Sequence, residues 1–383
     1  MPKLIPLLTL LLFSVSLRAV TTDDLLKNLD ERIHDLPKNR GSLIKSFQNH
    51  SQSYIYDQAL AIISFTKNNQ QKKAQRLLKG LNSLQLKDGS LYFSYYLDGV
   101  SPYPLEGDKR IAGAISWVAL AATHYQQQFK TNEYQKFNLG ILKYLKNEMV
   151  SVTIHNVKIK AVRFAPYDIP STPFKDNDIL ALEHNLDAYS AFLHYGRVNK
   201  ASDWIEDAGL LKKFIVQLWD KKRAHFWSGA SIQSSQVTKS ELYLDNQTWS
   251  LLALDVDILK ELSPEKALEL NCEFFQTEHE GVKGFLDSRP TNRPSLHSFI
   301  WSEGTLGQVL AMKKMSSIKK EEILCNQLSA DDYLQSVKKM IKADGGIAYA
   351  TTTRNEDFTT SSSVAGTAWM VFALNGINPF EVN

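Results

Sequence analysis

Acidic residues recur in this chain where polar sequence gives way to apolar segments rich in small residues. An aspartate or glutamate at the start of a helix can be purely structural, because it caps the helix and complements its dipole. Several such groups around one cleft could instead exchange protons with a substrate. Hydrolysis of a glycosidic bond needs two carboxyl groups, one protonated and one ionised. The candidates are Asp57, Asp108, Glu183, Asp187, Asp245 and Glu303.

We predict Glu183 and Glu303 as the principal acid–base pair, with Asp57, Asp187 and Asp245 as supporting carboxylates. Glu183 and Asp187 lie four residues apart and share one helix face, so we expect Asp187 to raise the proton affinity of Glu183. Glu303 comes from much further along the chain and could face the other side of a bound sugar. Carboxyl groups about 5 Å apart would imply retention, and groups roughly 6.5–9.5 Å apart inversion.

Aromatic residues accompany these acids. A flat apolar face with a polar edge suits stacking against a sugar ring. We expect five of these residues to line a carbohydrate site: Tyr54, Tyr56, Trp227, Trp249 and Trp301. Trp117 and Trp369 are expected to fill the core instead.

The sequence offers few signals for other chemistry. It contains no glycine-rich phosphate loop, no zinc-ligand spacing and no serine nucleophile elbow, so we predict no metal and no cofactor. The net charge of +3 arises from 44 basic and 41 acidic residues without a basic run. A nucleic-acid partner is therefore not expected.

Two kinds of helical segment alternate along the chain. Six segments with few charges suit helices buried on most sides, and they begin near residues 54, 110, 181, 245, 302 and 363. Between them lie amphipathic segments with a face rich in Lys, Gln and Glu. These are expected at residues 23–36, 71–84, 134–149, 201–219, 264–275 and 331–341.

A ring of such helical hairpins would bury each inner helix and leave one face of each outer helix in water. We therefore predict an all-α, single-domain (α/α)6 toroid with six inner and six outer helices. The long connections precede the inner helices, so they and the acids should gather on one rim. Strand-like patterns are confined to residues 152–164 and 347–352.

The first twenty residues have the pattern of a secretory signal peptide. Lys3 precedes an apolar run over residues 4–17 that is too short to span a bilayer. We expect residues 1–20 to be a signal peptide and residues 21–383 the toroid domain, a periplasmic or secreted monomer without a membrane span. In an oxidising compartment Cys272 and Cys325 could form a disulfide, and two buried thiols are the alternative.

Four short motifs resemble the six-hairpin glycosidase superfamily of bacterial (α/α)6 proteins. They are Tyr-Asp-Gln-Ala-Leu-Ala at 56–61, Leu-Gln-Leu-Lys-Asp-Gly-Ser at 84–90, Glu-His-Asn-Leu-Asp at 183–187 and Trp-Ser-Glu-Gly at 301–304. The resemblance covers nearly the whole mature chain. It implies hydrolysis of an oligo- or polysaccharide, mostly with inversion, by carboxylates near the inner-helix starts. We also assign substrate contacts to polar residues beside the acids: Gln58, Asp108, His184, Asn185 and Asn246.

Other functions remain open on the same fold. Sugar epimerases with this toroid use paired histidines, and His184 and His297 both lie near inner-helix starts, so an epimerase or a polysaccharide lyase is an alternative. A non-catalytic carbohydrate-binding protein is another, because a fold does not fix a function. A terpene cyclase is disfavoured, since no Asp-x-Asp-Asp run is present.

Overall fold

A computed structural model of the protein describes residues 20–99, 109–168, 175–262, 265–291, 298–354 and 358–382. The helices in these ranges, in chain order, are α1 Thr22–Glu31, α2 Ile55–Lys67, α3 Gln71–Leu84, α4 Ala112–Phe129, α5 Gln135–Asn147, α6 Leu182–Asn199, α7 Ser202–Gln217, α8 Leu244–Ala253, α9 Val256–Leu262, α10 Glu265–Phe274, α11 Ser302–Lys319, α12 Ala330–Val337 and α13 Val364–Asn375.

Six of these helices form a closed inner ring. Each of α2, α4, α6, α8 and α11 contacts the next in that series, α11 contacts α13, and α13 contacts α2. The starts at residues 55, 112, 182, 244, 302 and 364 agree with the predicted starts to within two residues. Burial on every side explains their uniform composition. All residues of α4 from Ala112 to Tyr125 are buried, for example.

The amphipathic helices form the outer ring, as predicted. The outer helices α1, α3, α5, α7, α10 and α12 pack against α13, α2, α4, α6, α8 and α11, respectively. The helix predicted at 23–36 ends at Glu31, because Ile33–Asp35 forms a strand that pairs with Ser42–Ile44. The segment predicted at 331–341 is the helix α12 followed by a 3-10 turn at Lys338–Met340. The short α9 is an addition that the sequence pattern did not indicate.

The strands form small sheets of two or three strands within the connections between helices. The predicted strand region at 152–164 is an antiparallel hairpin of β5 and β6, and the region at 347–352 contains only the two-residue β16. The strands are β1 Ile33–Asp35, β2 Ser42–Ile44, β3 Gln52–Tyr54, β4 Ser94–Tyr96, β5 Met149–Ile154, β6 Val157–Val162, β7 Ile179–Ala181, β8 Trp219–Asp220, β9 His225–Phe226, β10 Gly229–Ser231, β11 Val237–Thr238, β12 Glu241–Tyr243, β13 Gln276–His279, β14 Val282–Phe285, β15 Ser288–Pro290, β16 Ile347–Ala348 and β17 Ser362–Ser363.

Aromatic side chains fill the centre of the ring. The rings of Trp117 and Trp249 lie 5.6 Å apart, and those of Trp249 and Trp369 are stacked at 6.1 Å. Phe380, from the segment after α13, is fully buried and its ring lies 4.8 Å from that of Trp117. The toroid is therefore a packed core and not an open channel.

The cysteines form the disulfide that the sequence left open. Cys272 in α10 and Cys325 just before α12 are bonded, with 5.4 Å between their Cα atoms. Residues 1–19, which carry the predicted signal peptide, lie outside the described ranges. Within those ranges no helix is long and apolar enough to span a membrane.

Candidate active site

A cavity of about 470 Å³ lies where the six inner helices begin. Every inner helix contributes at least one residue from its first turn to the cavity wall. The contributors are Tyr56 and Asp57 of α2, Gly113 and Ala114 of α4, Glu183 and His184 of α6, Asp245 of α8, Glu303 of α11 and Ala365 of α13. The rim predicted from loop lengths therefore carries a cavity, and helix starts form much of its wall.

The structure brings five of the predicted acids together in this cavity. They are Asp57, Glu183, Asp187, Asp245 and Glu303. The sixth candidate, Asp108, lies outside the described residues. Asp57, Asp187 and Glu303 are almost completely buried, whereas Glu183 keeps about a third of its side chain exposed (33%). The acids differ in their access to the cavity as well as in their neighbours.

Glu303 is held in an environment that favours its protonated form. It is 2% exposed, and burial together with the charges of Asp57 and Glu183 raises its pKa to about 8. The hydroxyl of Tyr56 donates a hydrogen bond to Glu303, and this bond partly opposes the rise. The indole Nε1 of Trp369 in turn donates to the Tyr56 oxygen at 3.0 Å. A buried chain of hydrogen bonds thus fixes the Glu303 carboxyl group.

Glu183 has the opposite tendency. Burial alone would raise the pKa of Glu183. His184 opposes this through a hydrogen bond and through its charge, and Asp245 adds a second hydrogen bond, so the pKa lies below its ordinary value. The His184 Nε2 atom lies 3.0 Å from Glu183 Oε1, and the imidazole is stacked on Phe164 at 4.5 Å. The expectation that Asp187 keeps Glu183 protonated is wrong, because these neighbours stabilise the carboxylate.

The carboxyl groups next to Glu183, and not Glu183 itself, have the raised proton affinity. Burial and the negative charge of Glu183 raise the pKa of Asp187 and of Asp245 well above the ordinary range. Burial also raises the pKa of Asp57 to about 7, although Ser46, Arg32 and the Ala365 backbone oppose the shift. At neutral pH the cavity therefore holds Glu183 ionised beside Asp187, Asp245 and Glu303, whose raised pKa values favour the protonated form.

Four of the five predicted aromatic residues line the cavity, and they are Tyr54, Tyr56, Trp249 and Trp301. Trp227 does not, which corrects that prediction. It packs against His225 and lies under the cationic groups of Arg223 and Lys239. Trp117 has the core position expected of it, and it also forms part of the cavity wall.

Three residues that were predicted to contact substrate are instead buried within the fold, away from the cavity wall. The Gln58 side chain is completely buried and donates to the Ile44 carbonyl. Asn185 is buried and bonds both the amide and the carbonyl of Val162. Asn246 is 2% exposed and is not part of the cavity wall. These amides anchor connecting segments or lie within the helix packing. Of the predicted polar neighbours that the structure describes, only His184 lines the cavity.

Several wall residues were missed by the sequence reading. They come from the connections and helix starts, and they are Phe47, Phe93, Lys109, Ile111, Gly113, Ala114, Phe164, Tyr349 and Ala365. Lys109 and Ile111 stand directly before α4 and could have been found by position. The others depend on which loop folds over which helix. Within the described ranges, no group of three or more His, Cys, Asp or Glu side chains is arranged to hold a metal ion.

Gly113 is required by the close packing of α4 against the acids of α6. A Cβ atom at this position would lie 2.9 Å from Asp187 Oδ2 and closer still to the His184 ring. We expect Gly113→Ala to displace His184 and Asp187 and to lower activity about 100-fold, as a misplacement of about 1 Å can do. Steady-state kinetics and circular dichroism would check this. Gly209→Ala on α7, where a Cβ meets nothing within 4 Å, is the control. Full activity of Gly113→Ala would contradict the prediction.

Comparison with known proteins supports the architecture. No family model and no curated protein matches the sequence. A GH76 α-mannanase of Bacteroides thetaiotaomicron aligns with a TM-score of 0.63 and 13% identity, over 93% of this chain and 94% of that one. A sugar epimerase from a ruminal bacterium aligns with a TM-score of 0.69 and 10% identity, over 93% and 99%. The cellobiose 2-epimerase of Bacillus thermoamylovorans aligns with a TM-score of 0.67 and 11% identity, over 92% and 99%.

These similarities confirm the (α/α)6 toroid. The fold that the resemblance to the six-hairpin glycosidase superfamily implied is thus confirmed. At these identities the likeness concerns architecture, and the chemistry must be argued from the cavity.

Proposed function

We propose that this protein is an exported glycoside hydrolase that cleaves an oligo- or polysaccharide by carboxylate acid–base catalysis. The observation that carries the proposal is the opposite displacement of two pKa values in one cavity. Glu303 on α11 has a pKa raised to about 8, and Glu183 on α6 has a pKa lowered from its ordinary value. One carboxylic acid and one carboxylate are the pair that glycosidic hydrolysis needs at neutral pH.

We assign the two roles in the reverse of the order expected from the sequence, where Asp187 was to keep Glu183 protonated as the acid. Glu303, protonated and fixed by Tyr56, donates its proton to the glycosidic oxygen as that bond breaks. Glu183, ionised and a third exposed, takes a proton from the attacking water. The helix α8 lies between α6 and α11 in the ring, so the two groups approach a sugar from different sides. We propose inversion of the anomeric centre, since a water activated by Glu183 would attack opposite the leaving group.

A screen of soluble glycans for new reducing ends tests this function. We expect one class of glycan to be cleaved, and proton NMR of the fresh product to show the anomer opposite to that of the substrate. A product with the absorbance of an unsaturated uronate would indicate a lyase instead. Unchanged chain length with altered sugar stereochemistry would indicate an epimerase.

The pH profile provides a second test through Tyr56. Activity should require protonated Glu303, so the alkaline limb of kcat/KM should fall near pH 8. The Tyr56 hydroxyl favours ionised Glu303, and its removal in Tyr56→Phe should therefore raise that pKa. A hydrogen bond to a charged group contributes about 1.5–3 kcal/mol, which corresponds to an upward shift of roughly 1–2 pH units.

Tyr333→Phe is the matched control for this experiment. Tyr333 is fully buried, its hydroxyl donates a hydrogen bond to the Cys325 carbonyl at 3.1 Å, and neither residue belongs to the cavity wall. The Tyr333→Phe protein should show the same alkaline limb of kcat/KM as the parent. A limb that is unchanged or moves to lower pH in Tyr56→Phe would show that Glu303 is not the acid.

Sugar epimerisation is the second candidate function. The fold is shared with sugar epimerases, and His184 lies in the cavity. His184 is the one histidine among the described wall residues, while its expected partner, His297, lies outside the described ranges. The pair of glutamates with separated pKa values favours hydrolysis over a histidine-based mechanism.

Export to the periplasm or the exterior is part of the same proposal. It is supported by the signal-peptide pattern of residues 1–20 and by the disulfide between Cys272 and Cys325. Disulfides persist in oxidising compartments and are rare in the cytosol. Fractionation of the source cells, followed by N-terminal sequencing of the mature chain, would test both the compartment and the cleavage near residue 20.

A further inference from the structure

Residues 377–382, which follow α13, close the end of the ring opposite the cavity, and we call them the closing segment. His124 Nε2, in the second half of α4, donates to the Pro379 carbonyl at 2.9 Å. Lys314 Nζ, in the second half of α11, lies 2.8 Å from Glu381 Oε1 and also donates to two carbonyls at the end of α8. Carbonyls at a helix end lack partners within the helix, so these bonds complete α8 while they fix the segment.

Phe380 extends from the closing segment to a layer of indoles beneath the acids. Trp117, Trp249 and Trp369 occupy the sixth position of α4, α8 and α13, which begin at residues 112, 244 and 364. This is one turn after the second position, which acids occupy in α6, α8 and α11. The fully buried Phe380 ring lies 4.8 Å from Trp117 and 5.5 Å from Trp249, and both of these indoles line the cavity. Phe380 therefore supports the cavity from the opposite end of the ring.

The same two indoles hold Tyr56. The Tyr56 ring lies 5.4 Å from Trp117 and 6.4 Å from Trp249, and its hydroxyl donates to Glu303. A close-packed interior transmits small displacements, and a hydrogen bond weakens steeply when its angle changes. Two ring contacts thus connect Phe380 to the bond that fixes the Glu303 carboxyl group.

We propose that Phe380 is a positioning residue of the active site. It holds Trp117 and Trp249 in place from the closing segment, and through them it aims the Tyr56 hydroxyl at Glu303. The inference rests on the proposed hydrolase function for the meaning of Glu303. It makes the closing segment part of the active site, although its residues come from the far end of the ring.

Titration of the Glu303 carboxyl group tests the proposal without a substrate. Protein labelled with carbon-13 at the glutamate side-chain carboxyl would be titrated by NMR, and the Glu303 signal is identified by its absence from Glu303→Gln. In Phe380→Leu the midpoint should rise by about 0.5 pH units, a fraction of the roughly 1–2 units expected when Tyr56→Phe removes the bond altogether. The space left by leucine is lined by indole rings and should stay dry, so the burial of Glu303 is not relieved.

A double-mutant cycle separates positioning from a general loss of packing. In the Tyr56→Phe background, Phe380→Leu should cause no further rise, because the bond through which Phe380 acts is already gone. Phe214→Leu is the matched control, since Phe214 is also fully buried but lies on the outer helix α7. It should leave the Glu303 titration unchanged. On the glycan found in the screen, kcat/KM should fall about tenfold in Phe380→Leu, less than the 100-fold that a misplacement of about 1 Å produces.

The possible outcomes separate the positioning role from the hydrolase function. A Glu303 midpoint in Phe380→Leu that equals or lies below that of the parent would overturn the proposal, as would an equal rise in Phe214→Leu. Circular dichroism would establish that each variant folds, and Phe380→Met is the second variant if the leucine protein does not. A raised midpoint without cleavage of any glycan would retain the role of Phe380 and reject the hydrolase function.

Discussion

Replacement of either proposed catalytic glutamate by glutamine should lower kcat by 10²- to 10⁴-fold, the usual contribution of general acid–base catalysis. Glutamine keeps the shape of the side chain but neither donates the proton that Glu303 supplies nor accepts the one that Glu183 takes. Both positions lie in the first turn of a buried helix, and the substitution leaves the helix backbone bonds intact. Single-turnover and steady-state assays on the glycan found in the screen would measure the loss.

The two substitutions should differ in their response to pH and to added nucleophile. The alkaline limb near pH 8 should disappear in Glu303→Gln, because the group that titrates there is gone. Glu183→Gln should lose the acidic limb, and a small anion such as azide could restore part of its rate. Glu278→Gln, at an exposed position on β13, is the matched control. If both glutamine variants kept rates within about tenfold of the parent, the acid and base would lie elsewhere, and Asp57 and Asp245 would be the next candidates.

Loss of the disulfide should destabilise the protein by about 4 kcal/mol. The Cys272–Cys325 bond closes a loop with a sequence separation of 53 residues, and the chain-entropy model gives a value of this size for such a loop. The loop contains the whole of α11, and with it Glu303. Urea unfolding of a Cys272→Ala/Cys325→Ala protein, followed by tryptophan fluorescence, would measure the decrease in the free energy of unfolding.

Reduction of the parent provides the control for this experiment. The parent under dithiothreitol should unfold at the same urea concentration as the double variant, and the variant itself should not respond to the reductant. Both cysteines are buried, and alanine adds no polar group at these positions. The double variant should therefore report mainly the loss of the bond. A difference below about 1 kcal/mol between oxidised parent and double variant would show that the bond does not restrain the unfolded chain.

The helical ring was predictable because the number of faces that a helix buries determines how many of its residues are apolar. An inner helix such as α4 is surrounded on all sides and is apolar throughout, whereas an outer helix such as α3 shows one polar face. Six alternations of these two patterns can bury all inner helices only by closing on themselves. Five acids of the site were likewise predictable, since each lies in the first two turns of an inner helix.

The protonation states depended on contacts that sequence spacing does not contain. The four-residue spacing of Glu183 and Asp187 indicated that the two carboxylates repel each other, but not which of them would hold the proton. The hydrogen bonds from His184 and Asp245 decided it, and Asp245 comes from a different helix. Tyr56 and Trp369, which fix Glu303, are separated from each other by 313 residues of sequence.

Tertiary packing also decided which polar and aromatic neighbours of the acids reach the cavity. Gln58 and Asn185 stand beside catalytic candidates in sequence, yet their amides bond the backbone of connecting segments. Phe164 and Tyr349 come from connections and reach the cavity because those connections fold over it. The sequence by itself determined which helices are buried and which acids stand at their starts, because both follow from local pattern. Only the tertiary structure decided which acid holds a proton, because proton affinity depends on charges and donors that meet across the ring.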